Sequence, residues 1–164
     1  MKKAKMKKTG MKKGSGLVEV IVSSAIILIV MLGLYTTHTY FISLTHSNTK
    51  KVKANLLLEE GVEAVKTMRD RSWVNISGLT PEQDYYLVFS GGVWATSTTS
   101  VAVDGVFYRK FRTSDVSREA GGDIDTNGGG TADSGTKKIT VDVSWWNQNA
   151  TSTASITTYV ANIL

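Results

Sequence analysis

The sequence predicts an α+β fold in which one long N-terminal helix packs on a C-terminal antiparallel β-sheet. Three observations predict it. An almost wholly apolar run extends from Leu17 to Leu34, an amphipathic pattern of helical period follows it to about residue 69, and alternating β-branched and aromatic runs begin at Tyr85. A chain of 164 residues has room for one domain and an appendage.

The charge is unevenly distributed along the chain. Residues 1–14, MKKAKMKKTGMKKG, hold seven lysines and no acid, and removing them leaves 12 basic against 14 acidic residues. A basic tail on a mildly acidic body is a membrane-topology signal more than a nucleic-acid-binding face, because nucleic-acid binders carry their charge on the folded domain. The absence of cysteine excludes disulfides and thiolate metal sites.

The run LVEVIVSSAIILIVMLGL, residues 17–34, rises about 27 Å as a helix. A bilayer core is ~30 Å thick, so the run is a membrane span. The lysines before it keep the N-terminus in the cytoplasm and send Tyr35 onward across the membrane. A secretory signal would close on a small-x-small cleavage site, whereas YTTHTYFISLTH follows here, so the apolar segment is expected to be retained. Glu19 stands within the run, where burying an ionised side chain costs on the order of 2 to 4 kcal/mol. Such a carboxylate needs either water at the interface or a cation.

KKGSGLVEVIVSSAIILIV resembles the leader and transmembrane start of the type IV pilins and pseudopilins, whose signature is a basic leader, a glycine, and glutamate fifth after it. Gly14 gives that count to Glu19; Gly16 would make it third and Gly10 ninth. The resemblance implies cleavage by a prepilin peptidase between Gly14 and Ser15, N-methylation of the new amine on Ser15, and pairing of Glu19 with the amine of a neighbouring subunit during assembly. It departs from the family at Ser15, where a large apolar residue is usual. The implied place is the cytoplasmic (inner) membrane, crossed once, with the C-terminal part extracytoplasmic, and then a pilus or pseudopilus. The implied division is a leader over 1–14, a transmembrane half-helix over 15–35, an amphipathic half-helix over 36–70 and a β-rich headpiece over 71–164.

The second half of the helix has its apolar stripe at Ala54, Leu57, Leu58, Gly61, Val62, Val65 and Met68, with Lys53, Glu59, Glu60, Glu63, Lys66 and Asp70 on the other side. Proline is absent before Pro81, so a local bend in a helix over 17–69, about 80 Å long, would have to use Gly33 or melt elsewhere. Strands are expected over 85–89, 106–112, 139–145 and 155–163, with a loop at Ser90–Gly92. The ending VSWWNQNATSTASITTYVANIL resembles the closing hairpin of minor pilins and pseudopilins. Trp73, Trp94, Trp145 and Trp146 read as core and hairpin packing in preference to a stacking platform.

In GGDIDTNGGGTADSG, Asp123, Asp125, Asn127 and Asp133 have the spacing of oxygen ligands at the opening of a calcium loop, although Ser134 holds the position where an EF-hand has glutamate. The same letters are turn formers in an exposed hairpin. Calcium and plain turn chemistry therefore both stay open. His38 and His46 lie eight apart without ligand partners, and no nucleophile elbow, P-loop or cofactor fingerprint occurs, so no enzyme is expected.

The expected function is that of a minor type IV pilin, with the prepilin peptidase, other pilin or pseudopilin subunits and the membrane as partners. The alternative in the same machinery is a type II secretion pseudopilin. A DNA-uptake subunit would need a basic stripe on the headpiece. Arg109, Lys110, Arg112, Lys137 and Lys138 are candidates for it, but acids lie near them and nucleic acid is not the expected partner. An anchored domain that never polymerises would leave Glu19 dispensable.

Overall fold

The computed structural model describes residues 15–126, 128–147 and 150–163. Helix α1 runs over Ser15–Arg71, two residues beyond the expected range at either end. The chain divides between His46 and Ser47 into two compact units.

In the first unit α1 is solvent-facing on every side: all described side chains through Ile42 are exposed, including the large apolar ones from Leu17 to Leu34. Among the described residues this is the one helix long and apolar enough to cross a membrane. Its hydroxyls turn back onto the helix. Ser24 donates to the Ile21 carbonyl at 2.9 Å, and Thr36 and Thr37 both donate to the Gly33 carbonyl, at 2.9 and 2.8 Å. Satisfied in this way, the hydroxyls need no water.

The second unit holds the rest of α1, the short helix α2 (Val74–Ser77) and six strands: β1 (Tyr85–Ser90), β2 (Val93–Ser97), β3 (Ala102–Val103), β4 (Phe107–Arg118), β5 (Thr131–Asn147) and β6 (Ala150–Ala161). α1 ends where its last turn carries Arg69 and Arg71, cations suited to a helix C-terminus. The Met68 carbonyl, which accepts the Ser72 amide at 3.3 Å, also accepts from the Asn75 side-chain amide at 2.9 Å. The sheet order is β2-β1-β4-β5-β6, all neighbours antiparallel, with β3 paired to the end of β4.

The stripe read from the sequence is the buried face of α1. Ala54, Leu57, Leu58, Val62, Val65 and Met68, joined by Ala64, form one core with Leu87, Phe107, Phe111, Ile139, Val141, Val143 and Val160. Period 2 on the strands meets period 3.6 on the helix, which is the α+β packing expected. Lys53, Glu59, Glu60, Glu63 and Asp70 are exposed.

The strands differ from expectation in number and extent: β3 was not expected, and β6 begins at Ala150, five residues before the expected start. β2 was not expected: Gly91 and Gly92, at φ +61° and +79°, make a two-residue turn, so the chain reverses at once where the sequence suggested only a loop. β4 runs on through TSDVSR to Arg118, and β5 starts at Thr131, eight residues before the expected start. Neither segment has strong strand propensity, and pairing between long neighbours carries both past a register shift at Asp115/Val116. The closing hairpin β5–β6 pairs without a shift from Thr136↔Ala161 to Asn147↔Ala150. Its tip is tied to α1, where Lys50 Nζ donates to the Trp146 carbonyl at 3.0 Å and Asn147 Nδ2 donates to Ser47 Oγ at 3.3 Å.

Candidate functional site

Three groups of residues carry chemistry: the start of α1, the turn between β4 and β5, and the cations of the sheet. Gly14 lies outside the described residues, and Ser15 opens α1. Glu19 follows in the second turn, exposed, and among the described residues no cation pairs with it. A lone carboxylate on a helix of exposed apolar side chains can act only by meeting a charge from outside this unit.

The turn between β4 and β5 is organised by Arg118, a residue sequence reading passed over. Its Nε donates to Asp133 at 2.6 Å, Nη1 to the Gly122 carbonyl at 2.7 Å and Nη2 to Thr136 Oγ1 at 3.0 Å. Asp125 accepts from the backbone amides of Gly128 and Gly130 at 3.0 and 2.6 Å. Gly130 passes so close to β4 that a Cβ there would lie 2.4 Å from the Arg118 carbonyl oxygen, which explains a glycine at that position. Asp123 contributes its backbone carbonyl to the Glu119 amide at 2.9 Å. Asn127 lies outside the described residues. Among the described residues no three of His, Cys, Asp and Glu form a group able to hold a metal. The Asp125 and Asp133 oxygens serve amides and a guanidinium. The only signal for this in the sequence was a single arginine before an Asp- and Gly-rich run.

Hydrogen bonds from Thr136, Arg118 and the Gly135 amide lower the pKa of Asp133 from 3.8 to about 2. A carboxylate with a depressed folded pKa stabilises fully above its unfolded value and loses that contribution as pH falls through the folded one. The turn should therefore weaken between about pH 4 and pH 2. Acid unfolding followed by tryptophan fluorescence should lose that part of its pH dependence in Asp133→Asn, and an unchanged acid limb would count against the assignment.

The cations of β4 point in two directions. Arg109 faces α1 at 3% exposure, where Nη1 lies 3.2 Å from Glu60 Oε2 and 3.3 Å from the Leu57 carbonyl, and its guanidinium stacks 5.2 Å from the Trp94 ring centre. Lys110 and Arg112 face the other side and meet Asp84 at 2.7 and 3.3 Å, and Arg112 also meets Asp142 at 3.0 Å. Lys137 pairs with Asp115. Strand alternation thus divides the short basic cluster and supplies acids to its outward members. His38 and His46 are exposed on α1. Trp145 is buried, Trp73 and Trp94 pack against the core, and Trp146 is exposed. Comparison with family models, curated proteins and solved structures finds no match.

Proposed function

We propose that this chain is a minor type IV pilin: a filament subunit inserted in the cytoplasmic membrane through the first half of α1, its headpiece on the extracytoplasmic side. Prepilin peptidase cuts between Gly14 and Ser15, and the subunit joins others through the apolar helix. One observation carries this reading. Glu19, fifth after Gly14, is the single carboxylate between Ser15 and Leu34, a stretch of α1 whose apolar side chains are exposed on all sides. An apolar helix bundle would leave that charge costly unless a neighbour supplied a cation, and the amine freed at Ser15 of a neighbouring subunit is such a cation. The pair then sets the register between subunits.

The test is the N-terminal mass and sequence of the mature protein from its native membrane. A start at Ser15 that is lost in Gly14→Ala is expected. Glu19→Ala should still be cut but should enter filaments at least tenfold less. An intact Met1 in the unaltered protein would replace this reading with that of a non-polymerising anchored domain.

A further inference from the structure

Among the described residues β6 ends the sheet with one side unpaired, and its 12 residues, ATSTASITTYVA, hold no charge, no proline and no bulge. Exposed edges are ordinarily blunted by one of those devices, because their free N–H and C=O groups are a template for another strand. The edge is therefore open to an added strand, and the chemistry beside it says what that strand carries.

An open groove of about 440 Å³ lies between α1 and this edge, lined by Lys51, Asn55, Trp145, Ser152, Thr153 and Ala154. Lys51 and Asn55 stand one turn apart on α1. Trp145 and Ala154 belong to or pack on the core, and Ser152 is paired with Trp145, so all three face the helix. An ammonium, an amide, an indole N–H and a hydroxyl thus converge, and no carboxylate lines the groove. Among the described residues no acid pairs with Lys51. Three buried side-chain polar atoms there lack a hydrogen-bond partner, and of these Trp145 Nε1 alone belongs to a residue of this groove; the ring is 4% exposed. A buried donor left unpaired is costly, and an acceptor brought from outside removes that cost.

We propose that an extended acidic segment of another protein adds to β6 as a strand and passes a glutamate side chain through this groove to Lys51 and the Trp145 indole. An ionised carboxylate only accepts hydrogen bonds, which matches an unpaired cation beside an unpaired N–H. Length selects glutamate over aspartate. An added strand lies about 4.8 Å beyond β6 and about 10 Å from β5, so its side chain has to cross β6 to reach Trp145. Ser152 and Ala154 are the small residues over which it crosses. Glu59, the next acid on that face of α1, stands one turn past Asn55 and outside the lining, so the complementary charge is confined to the Lys51 end. The contact joins one partner segment to one edge of the headpiece and does not depend on the proposed filament function.

The test uses the ¹⁵N-labelled full chain in detergent and two acetylated, amidated heptapeptides of alternating threonine and valine, with glutamate or glutamine in place of the central valine. The glutamate peptide should move the Trp145 indole N–H resonance, assigned by its loss in Trp145→Phe, and slow hydrogen exchange at the β6 amides on the free edge. It should bind about tenfold more tightly than the glutamine peptide, as a charge-assisted contact does. Lys51→Ala, at an exposed position, should remove that difference without moving the urea midpoint, and Lys51→Arg should keep it. Equal binding of the two peptides to the unaltered chain would overturn the carboxylate contact, and binding of neither at millimolar concentration would overturn the docking site. Sodium acetate or inorganic phosphate moving the indole resonance, with no peptide protecting β6, would overturn strand addition in favour of a plain oxyanion pocket. Protection of β6 with the indole resonance unmoved would overturn the assignment to this groove. None of these outcomes bears on cleavage at Gly14, which is tested separately.

Discussion

Phe111→Ala is expected to destabilise the headpiece by about 3–5 kcal/mol, the range for a buried aromatic truncated in a core. Phe111 is at 0% exposure in the middle of β4, with the Tyr85 ring 5.9 Å away and Val141 opposite it on β5. Domains are stable by only about 5–15 kcal/mol, so a large share of the folded population should be lost. Urea unfolding of the detergent-solubilised full chain, followed by tryptophan fluorescence, should show the midpoint fall with the slope unchanged. Tyr108→Ala, three residues away but half-exposed on the outer face, is the comparison and should shift the midpoint little. Equal effects at the two positions would mean that the inner face of β4 is not the core.

Gly61→Val is the second large effect, and it acts by overpacking. Glycine inside a helix costs ~1 kcal/mol relative to alanine, so its presence on the buried stripe of α1 needs a reason. A Cβ at Gly61 would lie 2.8 Å from Val141 Cγ1 and 3.1 Å from Arg109 Cδ. Val141 is fully buried and its branched side chain has little freedom to turn, so the helix itself must move away. The expected loss is about 1–3 kcal/mol. Moving α1 outward would also pull the Leu57 carbonyl and Glu60 from the Arg109 guanidinium, so the Trp94 fluorescence beside it should change before unfolding begins. Gly33→Val, where nothing lies within 4 Å of the added Cβ, should leave the headpiece midpoint in place. A Gly61→Val protein as stable as its parent would mean that the helix does not sit this close to the sheet.

These two positions show how far periodicity alone reaches. The stripe Ala54–Met68 was legible because a helical period is written locally, and each of its apolar positions had to meet an apolar surface. Gly61 belonged to that stripe by spacing, but the reason for a glycine there is the approach of Val141 and Arg109 from strands about 80 and 50 residues away in sequence. The strands were legible where alternation was strong, at Tyr85–Phe89 and Ile139–Trp145. They were not legible at Thr113–Arg118 and Thr131–Lys138, where Thr, Ser, Asp and Gly become strand through partners across the ladder.

The candidate sites divide in the same way. By itself the sequence determined the apolar span, the excess of lysine before it, the five-residue count from Gly14 to Glu19 and the α+β class, because each is a property of neighbouring residues or of a short period. Only the tertiary structure decided that Arg109 lies under α1 while Lys110 and Arg112 face outward beside Asp84 and Asp142. It alone joined Arg118 to Asp133 and Thr136, and it alone inserted β3 beside β4 at Phe107 and Tyr108, where the pairing of β1 has already ended. The physical reason is that a charge's environment and a strand edge's free hydrogen-bonding groups depend on what the fold brings beside them, and those neighbours come from distant parts of the chain.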